Sequence, residues 1–203
     1  GTDLSAVAGT TGSPLVGKPF GIALDWFRYF LVQDPQWDAS SLTRAEFELL
    51  WNQSFEQYGA VIGTDNPDLS RFRESGSKII IYHGLLDHQI PAQGSIDYYR
   101  RLQDKMGGAE RTAEFARLFL MPGLDHGFRG EGPTPSTDSM MTAIIEWVEE
   151  GRAPDVLLGE KRDADRKVIK TRPIYPYPQV ARYKGSGSTD DAINFMAFTP
   201  EED

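Results

Sequence analysis

The sequence predicts an α/β fold built on a parallel sheet, and three observations carry that prediction. Two short apolar runs, Ile79-Ile80-Ile81-Tyr82 and Arg117 to Met121, have the character of buried strands. A helical pattern from about Gln93 to Met106 separates them, and a second, Ser136 to Glu150, follows. Strand, helix, strand, helix in that order describes βαβ units, whose strands lie parallel and whose ligand chemistry gathers at the strands' carboxyl ends.

Residues 1 to about 17, rich in Gly, Ser and Thr, read as a loose arm. Phe20 to Trp37 is aromatic-rich without strict period two, so helix and strand both remain open, as do a packed aromatic cluster and a wall for an aromatic ligand. Thr43 with Glu46 forms a capping box ahead of an amphipathic helix, Arg44 to Tyr58, with Phe47, Leu50, Trp51, Phe55 and Tyr58 at helical spacing. A short helix opens after Asn66-Pro67 and ends near Gly76. Few long strands fall in residues 1 to about 70, which read as a helical and irregular layer outside the main sheet.

Pro91 rigidifies the entry to the Gln93–Met106 helix, and Gly107-Gly108 stops it. The Ser136–Glu150 helix is expected to carry Met140, Met141, Ile144, Ile145 and Val148 inward, with Gly151 as its stop. Beyond Pro154 the sequence reads as charged linker. Arg172 to Pro178 is extended, because its three prolines forbid a helix. Gly185 to Asp190 is a turn, and Asn194-Phe195-Met196 has the pattern of an edge strand.

Composition narrows the function. A formal charge of −9 and a low pI leave no basic stripe for nucleic acid. No apolar run approaches the roughly 20 residues that span a bilayer. The absence of cysteine removes disulfides, thiolate metal sites and thiol nucleophiles. The three histidines show no His-Glu-x-x-His spacing, so no metal site is predicted in this chain.

The chemistry lies just past the two predicted strands. Asp87 follows the first, and Asp125-His126-Gly127 follows the second. A carboxylate and a histidine on loops after neighbouring parallel strands make the acid–base half of a serine triad: the histidine moves the proton and the carboxylate fixes its tautomer. Asp87 is assigned as orienter and His126 as base. Asp125 is a rival carboxylate, but side chains adjacent on a tight loop usually point apart. His88 is a rival base that follows Asp87 directly and is poorly placed to bond it. His83 reads as structural, packing or hydrogen-bonding under the Asp loop. No Gly-x-Ser-x-Gly elbow occurs in the 203 residues, so the serine is expected in an N-terminal portion outside this chain.

Seven stretches, among them DWFRYFLVQDPQWD at 25–38, KIIIYHGLLDHQIP at 78–91, LFLMPGLDHGFRGEGP at 118–133 and RPIYPYPQVARYKGSGSTDDAINF at 172–195, resemble the tannase and feruloyl esterase family. The resemblance spans nearly the whole chain but only the C-terminal portion of a family member. It implies the C-terminal part of an α/β-hydrolase parallel sheet plus the tail of a helical, irregular lid. The lid would end near residue 70, the catalytic part would span 71–151, and an extended segment, 152–203, would pack back on it. It implies a serine carboxylic ester hydrolase acting on phenolic esters, feruloyl or galloyl, inactive without its N-terminal portion. Asp87 matches the triad acid and His126 the base. Ile90, Leu86 and Phe128 are placed near substrate. A calcium site is implied in the part of the lid outside this chain, and no cofactor within it. Family members are secreted or periplasmic, and neither nucleic acid nor membrane is an expected partner. Gly127 and Tyr175 stand where the family commonly has cysteines, so a disulfide tying base to nucleophile is absent.

Two competing readings remain. A prolyl-oligopeptidase or dienelactone-hydrolase relative shares the Asp and His loops but not DWFRYF or the C-terminal stretch. A non-catalytic chain completing a lid or heterodimer would need neither side chain in register.

Overall fold

The computed structural model describes residues 8–11, 16–127 and 129–201. The chain divides into two compact units, Gly1–Asn66 and Pro67–Asp203. In the first, Ala8–Thr11 (β1) and Val16–Pro19 (β2) pair antiparallel. This corrects the loose arm expected over residues 1–17: two short segments satisfy each other's backbone groups. The rest of that arm lies outside the described residues.

The aromatic segment that left helix and strand open is helical. Gly21–Asp25 (α1) runs into a π-helical stretch, Trp26–Val32, that ends at Gln33 in the left-handed region, φ 58°. Tertiary contacts decide the matter. Trp26 stacks on Phe30 at 4.5 Å and meets the Tyr58 ring edge-on at 5.2 Å, while Phe27 lies 5.8 Å from Phe47. Such pairs contribute about 0.5–1.5 kcal/mol each beyond burial. The Tyr58 hydroxyl also donates to the Phe30 carbonyl at 2.8 Å.

Arg44–Ile62 (α2) begins with the predicted capping box. The Glu46 N–H donates to Thr43 Oγ1 at 3.3 Å, and the Thr43 N–H donates to Glu46 Oε2 at 2.8 Å. The helix continues past Tyr58 to Ile62. Its amphipathic stripe is not a buried face: no residue of α2 is buried, and Phe47, Trp51 and Phe55 form a ladder of rings still 41, 52 and 63% exposed.

The second unit holds the parallel pair. After a short helix, Ser70–Glu74 (α3), come Ile79–Gly84 (β3), Ala92–Met106 (α4), Ala109–Ala113 (α5) and Ala116–Met121 (β4). β3 and β4 run parallel in unbroken register from Ile79 opposite Ala116 to Gly84 opposite Met121. Gly107 takes φ 92° to end α4, a conformation that side chains disfavour. Core packs on both sides of β4. Tyr99, Leu102 and Met106 of α4 meet Phe115, Ala116 and Leu118, while Phe119 and Met121 join Leu124, Leu157 and Ile174. Burying each large apolar side chain contributes about 1.5–3 kcal/mol, so this strand fixes the unit.

Thr137–Glu150 (α6) carries a correction. Met140 and Ala143 touch the core and Trp147 is 2% exposed, but Met141, Ile145 and Val148 are 52, 46 and 55% exposed. The apolar surface of α6 is wider than the sheet can cover, and burying Trp147 sets the rotation. Lys78 and Arg117 lie over that indole at 5.8 and 5.6 Å.

The expected charged linker is also corrected. Leu157–Arg162 (β5) pairs antiparallel with Val168–Ile174 (β6). Leu157 and Ile174 are buried in the core, which outweighs the exposed charged pairs of this hairpin, each worth about 0–1 kcal/mol. Phe195–Phe198 (β8) pairs with Val180–Tyr183 (β7), not with the parallel sheet. The segment that does reach β4 is Pro176-Tyr177: Pro176 bridges Phe119, and the Tyr177 N–H donates to the Leu118 carbonyl at 2.7 Å.

Candidate active site

The site grows from the carboxyl ends of β3 and β4. Gly84 closes β3 with the base loop pressed against it. A Cβ there would stand 2.5 Å from the Leu124 carbonyl oxygen and 2.9 Å from that of Asp125, so this approach requires glycine. Backbone bonds then stitch the loops together. The Leu85 N–H donates to Met121 at 3.0 Å and the Leu86 N–H to Leu124 at 2.9 Å. The base loop is anchored by Leu124, 1% exposed, and closed by an antiparallel bridge from Leu124 to Gly130.

These loops bring Asp87 and His126 together: Asp87 Oδ2 accepts from His126 Nδ1 at 3.0 Å. Asp87 Oδ1 accepts the backbone N–H groups of Gln89 and Ile90, both at 2.9 Å. Burial of this carboxyl, whose side chain is 8% exposed, pushes its pKa up. The bonds from Ile90, His126 and Gln89 outweigh that, and the result lies below the ordinary carboxylate value. An ionised Asp87 only accepts, so the proton of a neutral His126 ring sits on Nδ1 and the lone pair on Nε2. The His126 side chain is 40% exposed.

Neither rival takes part in that bond. Asp125 Oδ1 accepts the Arg129 N–H at 3.0 Å, a bond that closes its own loop. His88 Nε2 is buried and has no hydrogen-bond partner among the described residues. His83 lies under the Asp loop, with Nδ1 2.8 Å from Ser95 Oγ and Nε2 2.8 Å from the Ile90 carbonyl. Ser95, on α4, is a member of the site that sequence reasoning missed, since no short motif links it to His83. Leu86 and Ile90 stand 43 and 57% exposed on the Asp87 loop. Phe128 lies outside the described residues. A cavity of about 680 Å³, lined in part by Leu85, Leu120, Arg172 and Tyr175, includes neither Asp87 nor His126. Among the described residues no group of three or more His, Asp or Glu side chains gathers that could hold a metal ion.

Residues 21–198 match the family described as tannase and feruloyl esterase. The chain belongs to that family. Among its relatives is a probable feruloyl esterase of Arthroderma benhamiae, 36% identical over 178 residues, covering 87% of this chain and 33% of that protein. A mono(2-hydroxyethyl) terephthalate hydrolase of Piscinibacter sakaiensis is 43% identical over 142 residues, covering 68% of this chain and 22% of that protein. This member of the tannase and feruloyl esterase family thus spans about a third or less of these relatives. Its fold matches feruloyl esterase B from Aspergillus oryzae with a TM-score of 0.77 and 31% identity over 89% of this chain and 38% of that one. A tannin acyl hydrolase from Aspergillus niger gives a TM-score of 0.80 at 21% identity over 95% of this chain and 36% of that one, a likeness of fold alone. The fold is accordingly a partial α/β domain of the α/β-hydrolase type, as the family resemblance implied. Among the described residues no helix is long and apolar enough to cross a membrane.

Proposed function

We propose that this chain supplies the acid and base of a serine-type carboxylic ester hydrolase acting on phenolic esters, feruloyl, galloyl or a related aromatic acid ester. The observation that carries the reading is the 3.0 Å bond from His126 Nδ1 to Asp87 Oδ2 at the ends of two parallel strands. The Ser comes from an N-terminal portion of the same protein, consistent with the missing Gly-x-Ser-x-Gly elbow and with coverage of 33% of the feruloyl esterase relative. Residues 1 to about 70 form the end of a lid domain, and the protein acts outside the cytoplasm, secreted or periplasmic.

In the first half-reaction His126 Nε2 accepts the serine Oγ proton as oxygen attacks the ester carbonyl. The imidazolium then returns that proton to the departing alkoxide. Asp87, ionised and fixed by two backbone N–H groups, stabilises the imidazolium and keeps the proton off Nε2 between steps. Water repeats the sequence on the acyl-enzyme and releases the aromatic acid.

The test is to assay the longer protein, and this chain alone, against methyl ferulate and methyl gallate. The longer protein should hydrolyse them and this chain alone should not. His126→Ala in the longer protein should leave less than a tenth of the turnover, and retention of more would remove His126 from the mechanism. Hydrolysis of prolyl peptides instead would point to the oligopeptidase class.

A further inference from the structure

We infer that His83 is a second positioning residue for the acid, held in one tautomer by Ser95. The inference rests on the function proposed above for Asp87. Three contacts carry it: His83 Nε2 to the Ile90 carbonyl at 2.8 Å, His83 Nδ1 to Ser95 Oγ at 2.8 Å, and His83 Nε2 to Asp87 Oδ2 at 3.4 Å.

A carbonyl oxygen only accepts, so the 2.8 Å contact to Ile90 places a hydrogen on His83 Nε2. In the neutral ring Nδ1 then bears the lone pair and accepts from the Ser95 hydroxyl. The Nε2–H is shared: Ile90 O is the nearer acceptor, and Asp87 Oδ2 lies within ion-pair range. Ile90 is therefore held at both ends of its peptide backbone. Its N–H binds Asp87 Oδ1 and its carbonyl binds His83. Rotation of the Asp87 carboxyl away from His126 would break the bond from Ile90 and open the contact from His83 together. Ser95 sits on α4, which packs on β4, so the orientation of the acid is referred to the core. The His83 side chain is 11% exposed, so water cannot readily replace these bonds.

His83 touches no reacting atom in this scheme and acts only through Asp87 and Ile90. Its removal should disturb the His126 hydrogen bond more than the fold. The experiment uses nitrogen and proton NMR of the imidazole rings in this 203-residue chain, with His83→Leu, His83→Gln and Ser95→Ala beside the wild type, and circular dichroism as a check on folding.

In the wild type at neutral pH, His83 should show the Nε2–H tautomer and His126 the Nδ1–H tautomer with a slowly exchanging, strongly hydrogen-bonded proton. His83→Leu should lose that slow proton. His83→Gln, whose amide can donate to Ile90 and accept from Ser95, should restore it. Ser95→Ala should turn the single His83 tautomer into a mixture, a readout that survives if His83→Leu fails to fold. In the longer protein, His83→Leu should lower kcat at least tenfold with KM unchanged, and His83→Gln should recover it. A His126 signal unchanged in His83→Leu, or a His83 ring protonated on Nδ1 in the wild type, overturns the inference. Absence of ester hydrolysis with these NMR signals intact overturns the functional reading instead.

Discussion

The backbone N–H of Leu86 lies 2.9 Å from the carbonyl oxygen of Leu124, so the loop that carries the acid is bonded directly to the loop that carries the base. The next residue on one side is Asp87, and two residues on from Leu124 is His126. The side-chain pair therefore inherits its spacing from a main-chain contact just beyond the parallel pairing of β3 and β4. Disturbing the main chain there should disturb the chemistry.

Gly84→Ala tests this directly. Its new methyl group would collide with the Leu124 and Asp125 carbonyls, which are backbone atoms without freedom to swing away. Forcing atoms into a packed site typically costs about 1–3 kcal/mol. The denaturant midpoint should fall accordingly, and the slowly exchanging His126 proton should weaken with it. An unaltered midpoint would mean that the loop does not approach the strand this closely.

The two carboxylates beside His126 should separate cleanly in kinetics of the longer protein. Asp87→Asn removes the acceptor that fixes the imidazole tautomer, and the turnover should drop by about 10⁴, as in triads generally. Asp125→Asn replaces a group that caps Arg129 and should leave turnover within about an order of magnitude, the loss reflecting loop geometry rather than chemistry. The reverse ranking would make Asp125 the orienting carboxylate.

Acid should weaken the fold through Asp87. Its folded pKa is held below the ordinary 3.8, so the unfolded chain takes up the proton first as pH falls. The stabilisation is complete above about 4 and is lost as the pH passes down through the folded value. Asp87→Asn should flatten that portion of the stability profile, measured by chemical denaturation at a series of pH values. A profile identical to that of the wild type would show the carboxyl to be unperturbed.

Alkali should act through Tyr99. Burial pushes its phenol up to about 12, with the nearby Arg117 charge opposing, and its hydroxyl donates to the Ala116 carbonyl at 3.0 Å. The unfolded chain releases this proton near 10, so the contribution is intact below that value and is lost as pH rises through about 12. Tyrosinate absorbance should show one late-titrating group that disappears in Tyr99→Phe.

The βαβ order, the capping box of Thr43 and Glu46, and the placement of Asp87 and His126 just past two apolar runs are legible in the residues alone. Those are local signals: residue spacing, a polar side chain three positions from its partner, a strand that ends where glycine begins. Long-range packing is what puts Leu157 and Ile174 in the core, brings Pro176-Tyr177 rather than residues 194–196 to β4, and, by burying Trp147, leaves Met141, Ile145 and Val148 exposed. Ser95 joined the site for the same reason, through a helix packed on the sheet. Each of these outcomes depends on how residues distant along the chain share one buried surface, and no local pattern records which of several apolar candidates will win that competition.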